Sequence, residues 1–324
     1  MKAVICEKFD GWEALKLSDM PDPVVSAGHV VIDVKAAGLN FPDLLLVAGK
    51  YQMKPPLPFV PGSECAGIIC EIGEGVTGWN IGDRVIAYTM IGAMAGKVAV
   101  PATNLIPLPN NMPFANGAGL TTTYATSYYG IKQRANLQAG ESVLVLGAAG
   151  GVGLAAVELA KAMGAIVIAG ASTDEKLATA KSHGADHLIN YSTQSLKEQI
   201  KEITKGKGVD VIYDPVGGGL SETAFRSIGF NGRFLVVGFA AGDIPKLPLN
   251  LPLLKTASII GVFWGAWAMQ DPKAHASNMG EIISMFESDK IKVTVSKQIA
   301  FADFSEGFAD LAERRAQGKL VLIP

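Results

Sequence analysis

The stretch SVLVLGAAGGVGLAAVELA, Ser142 to Ala160, constrains the fold more than any other part of the chain. A run of apolar β-formers stops at Gly147, and Gly150, Gly151 and Gly153 then open an Ala- and Leu-rich helical run. Glycines in such a turn allow the sharp bend and let backbone N–H groups approach an anion at the positive end of the helix. The strict G-x-G-x-x-G spacing is not met, because Ala148 stands at the first glycine position. A glycine pattern alone is weak, since many such turns serve only close packing. Here the context strengthens it, because strands and helices alternate after it. AIVIAGA, DHLINY, GVDVIYDPVG, GRFLVVGF and SIIGVFW read as strands. Between them lie TDEKLATAKSHG, opened by a Thr173 cap, TQSLKEQIKEITKG, and a helix from about Ser221. This rhythm predicts right-handed βαβ units and a doubly wound parallel sheet.

The chain before this region has a different texture. HVVIDVKAAGL, AGIICEIG and DRVIAYT are β-branched runs punctuated by Gly, Pro and Asp, and KPPLPFVPG is a stiff proline-rich loop. NGAGLTTTYATSYYGIKQRANL is predicted as a helix of mediocre propensity. After about Phe263 the βαβ rhythm stops, so the tail is expected to return to the first domain. The expected division is therefore 1–118 with 264–324, and 119–263, two domains sharing a cleft, as 324 residues allow.

Composition excludes several classes. A formal charge of −2 argues against nucleic acid as the main partner, and three cysteines cannot frame a disulfide scaffold. No apolar run reaches the length of about 20 residues that a membrane span needs. The N-terminus carries acidic residues before any signal-like stretch. A soluble cytoplasmic protein is expected.

The glycine turn is read as a dinucleotide site formed by the backbone of Ala149, Gly150, Gly151 and Val152. NAD-binding turns usually carry a carboxylate at the end of the second strand, about 20 residues on. Here that strand ends in Ala171 and Ser172, which leaves room for a 2′-phosphate. Ser172 offers a hydroxyl and Lys176 a cation one helical turn later, while Tyr191 can pack by the adenosine. NADPH is the expected cofactor. The competing reading makes Lys176 a solvated lysine whose field is weakened by Asp174 and Glu175.

Taken together, AAGLNFPD, AGKY, PGSECAG, VTGWNIGDRV, the glycine turn with its helix, GADHLINY, YDPVGG and the closing GKLVL resemble the medium-chain dehydrogenase/reductase superfamily. The resemblance covers the whole chain and points to the zinc-free quinone oxidoreductase, zeta-crystallin-like branch. It implies an α/β protein with a GroES-like β-rich catalytic domain and a Rossmann nucleotide-binding domain. The Cys, His and Cys that hold catalytic zinc in other members fall on Asn40, Ser63 and Ala118. A carboxamide and a hydroxyl are poor zinc ligands and a methyl group is none, so no metal is expected. Ser63 has no G-x-S-x-G elbow, and the four histidines lie elsewhere in sequence, so acyl transfer is disfavoured.

Without a Lewis acid the cofactor carries the reaction, and the protein orients the partners and stabilises the developing oxyanion. Quinones and α,β-unsaturated carbonyls accept hydride directly, whereas an alcohol needs its proton removed. Asn40 and Tyr51 are the candidate donors to the carbonyl, with Asn40 also beside the cofactor. Their competing roles are a turn cap and packing under the proline loop. By resemblance Thr122 sits by the nicotinamide. Phe239 and Ala240, at the end of a parallel strand, and Phe263 and Trp264 complete the cofactor or acceptor wall, though Trp264 suits the core equally well. Arg315 and Lys319 resemble positions near the phosphates or nicotinamide. Asp43 and Glu64, outer-shell positions in zinc relatives, are read as structural partners only. The small-molecule partner is then a quinone or enone. An enoyl-thioester reductase and a non-catalytic NADPH-binding protein are the alternatives. The resemblance and the proline-punctuated edge LPLNLPLLKTASIIGVF suggest a homodimer.

Overall fold

The computed structural model describes residues 1–324, and its strands fall on the β-branched runs. In chain order, β1 (Lys2–Ile5) and β2 (Lys16–Asp19) form an antiparallel pair. They are followed by β3 (His29–Leu39), helix α1 (Phe41–Val47), β4 (Glu64–Ile72), β5 (Arg84–Tyr88), β6 (Lys97–Pro101), β7 (Leu105–Pro107) and α2 (Phe114–Ala118). β3 bonds to both β4 and β6, and its residues Val30, Ile32, Val34, Ala37 and Leu39 enter the core. Its register against β4 shifts between Val34 and Ala36, and Val31 and Ala36 are buried too, so both faces of this central strand are covered.

The region expected as one helix is broken. After α2 the backbone runs through a π-helical turn Thr121–Ala125, a short α-helix α3 (Thr126–Tyr128) and a second π-helical turn Tyr129–Arg134. Such wide turns arise where a group competes with the regular i→i−4 ladder. Here the Glu64 side chain accepts the Thr122 N–H at 2.7 Å.

The alternating region follows the expected order: β8 (Ser142–Leu146), α4 (Gly151–Ala162), β9 (Ile166–Ala171), α5 (Asp174–Ser182), β10 (His187–Asn190), α6 (Leu196–Ile203), β11 (Val209–Asp214), α7 (Gly219–Phe225), β12 (Ile228–Val236), α8 (Asn250–Lys255) and β13 (Ser258–Gly261). The six strands are parallel in the order β10-β9-β8-β11-β12-β13. The winding direction reverses between β8 and β11, which makes their carboxyl ends the natural binding crevice of this sheet. α4 is apolar nearly all round, with Leu154, Ala156, Val157, Leu159 and Ala160 buried, as a central helix requires. The Thr173 hydroxyl caps α5 by accepting the Lys176 N–H.

The chain divides into Met1–Thr122 with Val293–Pro324, and Thr123–Lys292. The return therefore falls at 292/293, not at 263/264, and the first crossing at 122/123, not 118/119. The loss of βαβ rhythm at Phe263 is real, but α9 (Trp264–Gln270) and α10 (Pro272–Glu287) still pack within the second unit. The Trp267 ring stacks on Tyr129 at 4.4 Å, and Lys132 pairs with Glu281 at 2.7 Å. The first unit then resumes with β14 (Val295–Ala300), α11 (Phe304–Ala312) and β15 (Lys319–Ile323). Its sheet order is β14-β15-β3-β4-β5-β7, with β6 on β3. β15 pairs antiparallel with β3, placing Leu320 opposite Leu39 and hence Lys319 next to residue 40.

Candidate active site

In the second unit, the glycine turn joins β8 to α4, with Gly150 as N-cap. Gly147 has φ of +59°, a left-handed conformation that favours glycine. At Gly153 a Cβ would lie 2.2 Å from the Gly147 carbonyl oxygen, so only glycine permits this approach of helix to turn. Around Gly150 a Cβ would meet only the Gly147 oxygen at 3.4 Å, which leaves the helix N-terminus open to a ligand. The Gly150 N–H closes the turn on Gly147 O at 3.0 Å, and the N–H groups of the first helical turn, at the head of a 12-residue helix with no side chain in the way, suit a pyrophosphate.

Ser172 follows β9 and Tyr191 follows β10, two strands paired in parallel, while Lys176 lies in the first turn of α5. The Tyr191 N–H bonds to Ala171 O at 3.1 Å, and its ring lies against Gly170. Asp174, the neighbour expected to weaken the field of Lys176, accepts a hydrogen bond from Asn190 Nδ2 at 2.7 Å. Next to the switch point, Asp214 ends β11, buried, and organises the loop after it. Its Oδ1 accepts the N–H groups of Val216 and Gly217, and its Oδ2 accepts the Ser221 hydroxyl. The Phe239–Ala240 segment is bonded to that loop through Ala240 N–H to Pro215 O. The YDPVGG motif thus has a structural reason that the sequence did not supply. Phe263 is 58% exposed, whereas Trp264 is buried edge-on to His275, so of the two aromatics Trp264 takes the core alternative.

In the first unit, Asn40 ends β3 and opens α1. The Asp43 carboxylate accepts its backbone N–H at 2.8 Å. Its carboxamide is turned the other way: Nδ2 donates to Glu64 Oε1 at 2.8 Å, and Oδ1 accepts from Lys319 Nζ at 2.5 Å. Lys319 also donates to Glu64 Oε1 at 2.6 Å. Glu64 is fully buried, and with Thr122 N–H on its other oxygen it gathers three donors. Two glycines make room for this cluster. A Cβ at Gly38 would lie 2.6 Å from Glu64 Oε1, and one at Gly119 would lie 2.9 Å from Lys319 Cγ. The Thr122 hydroxyl is buried without a hydrogen-bond partner, an orphaned polar atom of the kind that awaits a ligand.

Two residues expected near the cofactor carry partners of their own. Lys319 is turned inward, 5% exposed, and its ammonium is paired with Glu64 and Asn40. Arg315, half-exposed, is paired with Asp310 at 2.9 Å and with Glu313 at the end of α11. Glu64, read from sequence as a structural partner, is one: it is the centre of the cluster. Its partners lie 24, 58 and 255 residues away, so no local signal in the sequence reveals them.

Burial governs the acidities. The Asp43 carboxyl is pushed up to about 7, first by burial and then by Glu64, against the opposing pull of the Asn40 N–H and Lys319. Burial and Asp43 raise the Tyr51 hydroxyl, which keeps it protonated as a donor, and burial pushes Tyr88 up to about 12. Cys65 is also pushed up to about 12 by burial, so it is a buried thiol with no nucleophilic role. His29, the single histidine of the first unit, bonds Ala27 O at the other end of β3, leaving Ser63 without a base. Nowhere do three or more His, Cys, Asp or Glu side chains gather so as to hold a metal ion. No helix is long and apolar enough to cross a membrane.

A GroES-like sheet unit and a Rossmann unit on one chain define the dehydrogenase/reductase class of two-unit proteins. Residues 26–110 match the alcohol dehydrogenase GroES-like domain and residues 151–279 the zinc-binding dehydrogenase domain. The chain is 38% identical to a quinone oxidoreductase-like protein 2 homolog of Nematostella vectensis, over 92% of this chain and 82% of that one. It is 32% identical to the quinone oxidoreductase of Rattus norvegicus over 100% and 98%. The crystal structure of Escherichia coli quinone oxidoreductase complexed with NADPH superposes with a TM-score of 0.93 at 29% identity, covering 100% of both chains. The chain therefore belongs to the medium-chain dehydrogenase/reductase superfamily, in its quinone oxidoreductase-like branch.

Proposed function

We propose that this protein is a zinc-independent reductase that uses NADPH to reduce quinones and other α,β-unsaturated carbonyl compounds. The observation that carries the reading is the donor set at Asn40, Ser63 and Ala118. It has no thiolate or imidazole for zinc, and its carboxamide is held between a lysine and a glutamate. When bound, NADPH supplies a hydride from nicotinamide C4.

The chain's own residues bind, orient and stabilise. The backbone N–H groups of Gly151 and Val152 hold the pyrophosphate beside Gly150, the hydroxyl of Ser172 and the ammonium of Lys176 favour the 2′-phosphate, and Tyr191 packs by the adenosine. NADPH bound to the Escherichia coli relative supports this choice. The Thr122 hydroxyl, with no partner of its own, is suited to a polar group of the nicotinamide. The second Nδ2–H of Asn40 and the hydroxyl of Tyr51 donate to the acceptor's carbonyl oxygen and offset the negative charge that develops there. Quinones and enones have carbon or oxygen centres electron-poor enough to need no stronger polarisation, and the one proton that balances the hydride comes from solvent.

A homodimer built on the β13 edge fits this reading. That strand ends the sheet, and Leu249, Leu253 and Leu254 beside it are 71–79% exposed.

The test is NADPH oxidation, followed by its near-ultraviolet absorbance, with quinones, enones and enoyl thioesters as acceptors. Turnover of quinones or enones without added metal, by protein with no stoichiometric zinc, is expected. Turnover of enoyl thioesters alone, or tight NADPH binding with no turnover, refutes the assignment.

A further inference from the structure

The carboxamide of Asn40 sits between two buried charges of opposite sign, and this removes its freedom to flip. Its oxygen faces the Lys319 ammonium at 2.5 Å and its nitrogen faces the Glu64 carboxylate at 2.8 Å. A flipped amide would set NH2 against an ammonium and C=O against a carboxylate, both repulsive where neither charge reaches water. The same carboxylate accepts the Thr122 N–H at 2.7 Å, at the start of the π-helical turn. One ion pair, Lys319 with Glu64, thus fixes both the residue proposed to meet the acceptor's carbonyl and the backbone that carries the orphaned Thr122 hydroxyl. The pair is a built feature: Gly38 and Gly119 leave room for Glu64 and Lys319, and Lys319 is only 5% exposed.

We propose that Lys319 and Glu64 are positioning residues, which aim the one remaining Asn40 Nδ2–H at the acceptor and hold Thr122 in place, and that Lys319 does not bind the cofactor. The pair is a cation and an anion inside one sheet unit, so it does electrostatically what a metal and its outer carboxylate would do for a ligand side chain: it fixes direction. The kinetic arm of the proposal rests on the reductase reading given above.

The test uses Lys319→Met, Asn40→Ala and their combination. With Lys319→Met, kcat for a quinone is expected to fall about 10–100-fold, the range seen when orienting partners are lost, while the dissociation constant for NADPH changes by less than about threefold. Asn40→Ala should add less than about twofold in the Lys319→Met background, because both substitutions remove the same aimed donor. Weakening of NADPH by about tenfold or more with unchanged kcat at saturation would make Lys319 a cofactor contact and overturn the assignment. Fully multiplicative losses would do the same.

Lys319→Met leaves the Glu64 charge buried without its counter-ion and can therefore compromise folding. The charge-neutral pair Lys319→Met, Glu64→Gln is the second variant, judged by hydrogen exchange at the Thr122 amide without any substrate. Exchange there should accelerate about tenfold or more if the pair holds Thr122, and unchanged protection overturns the proposal. This arm stands even if the wild-type chain reduces no quinone or enone, an outcome that refutes the reductase reading by itself.

Discussion

Asp43 makes the first unit less stable as pH rises, and Asp43→Asn should remove that dependence. The folded carboxyl titrates at about 7 because burial disfavours its charge, against 3.8 for the exposed group. Between these two values the folded chain holds a proton that the unfolded chain has released. Fewer protons on the unfolded state mean that unfolding becomes easier with rising pH. The penalty is absent below about pH 4, grows by about 1.4 kcal/mol per unit and levels off above about pH 7. From pH 5 to pH 7 that is two units, or about 3 kcal/mol. Trp12 and Trp79 are the two indoles of the first unit, so a Trp264→Phe, Trp267→Phe background lets fluorescence report that unit alone. Urea midpoints across this range, measured in that background with and without Asp43→Asn, should converge towards pH 5 and separate towards pH 7, relative to their fixed offset. The offset itself, from the bonds Asp43 accepts from Asn40 and Gly62, does not change with pH. Parallel profiles would show that Asp43 is ionised in the folded state, and the account of the buried cluster would fail.

Gly153→Ala forces a Cβ into the Gly147 carbonyl and should cost about 2 kcal/mol of stability, read as a lower melting temperature, and weaken NADPH at least about tenfold by fluorescence titration. Wild-type affinity would mean that the turn does not hold the cofactor. Lys176→Ala should weaken NADPH about tenfold while leaving NADH within about twofold; an unchanged ratio removes Lys176 from 2′-phosphate recognition. Glu158, 3% exposed in α4, accepts the Tyr124 hydroxyl at 2.7 Å and the Lys292 N–H at 3.0 Å, next to the two places where the chain passes between units. Glu158→Ala should therefore destabilise the second unit by about 3 kcal/mol in chemical denaturation, whereas a loss under about 1 kcal/mol would make those bonds dispensable.

Short-range physics made much of this chain legible. Apolar runs, glycine punctuation and the Thr173 cap act over a few residues, so β8, the phosphate turn, α4 and the alternation after it could be read directly from sequence. So could the donor types at Asn40, Ser63 and Ala118, which are the chemistry of three side chains once the resemblance aligns them. The break at Thr121–Ala125 was not legible, because it answers to a glutamate 58 residues earlier. Nor was the return at Val293: α9 and α10 lack sheet rhythm, and only their packing on Tyr129 and Lys132 assigns them to the second unit.

The sequence by itself determined which groups the chain possesses: an open helix N-terminus, a lysine in the helix after the second parallel strand, a carboxamide where relatives hold a metal ligand. Tertiary structure decided which of those groups are available. Arg315 is paired with Asp310, and Lys319, 255 residues from Glu64, is drawn inside to hold Asn40. The physical reason is that a buried charge must find its counter-charge wherever the fold brings one, and sequence distance carries no information about that encounter.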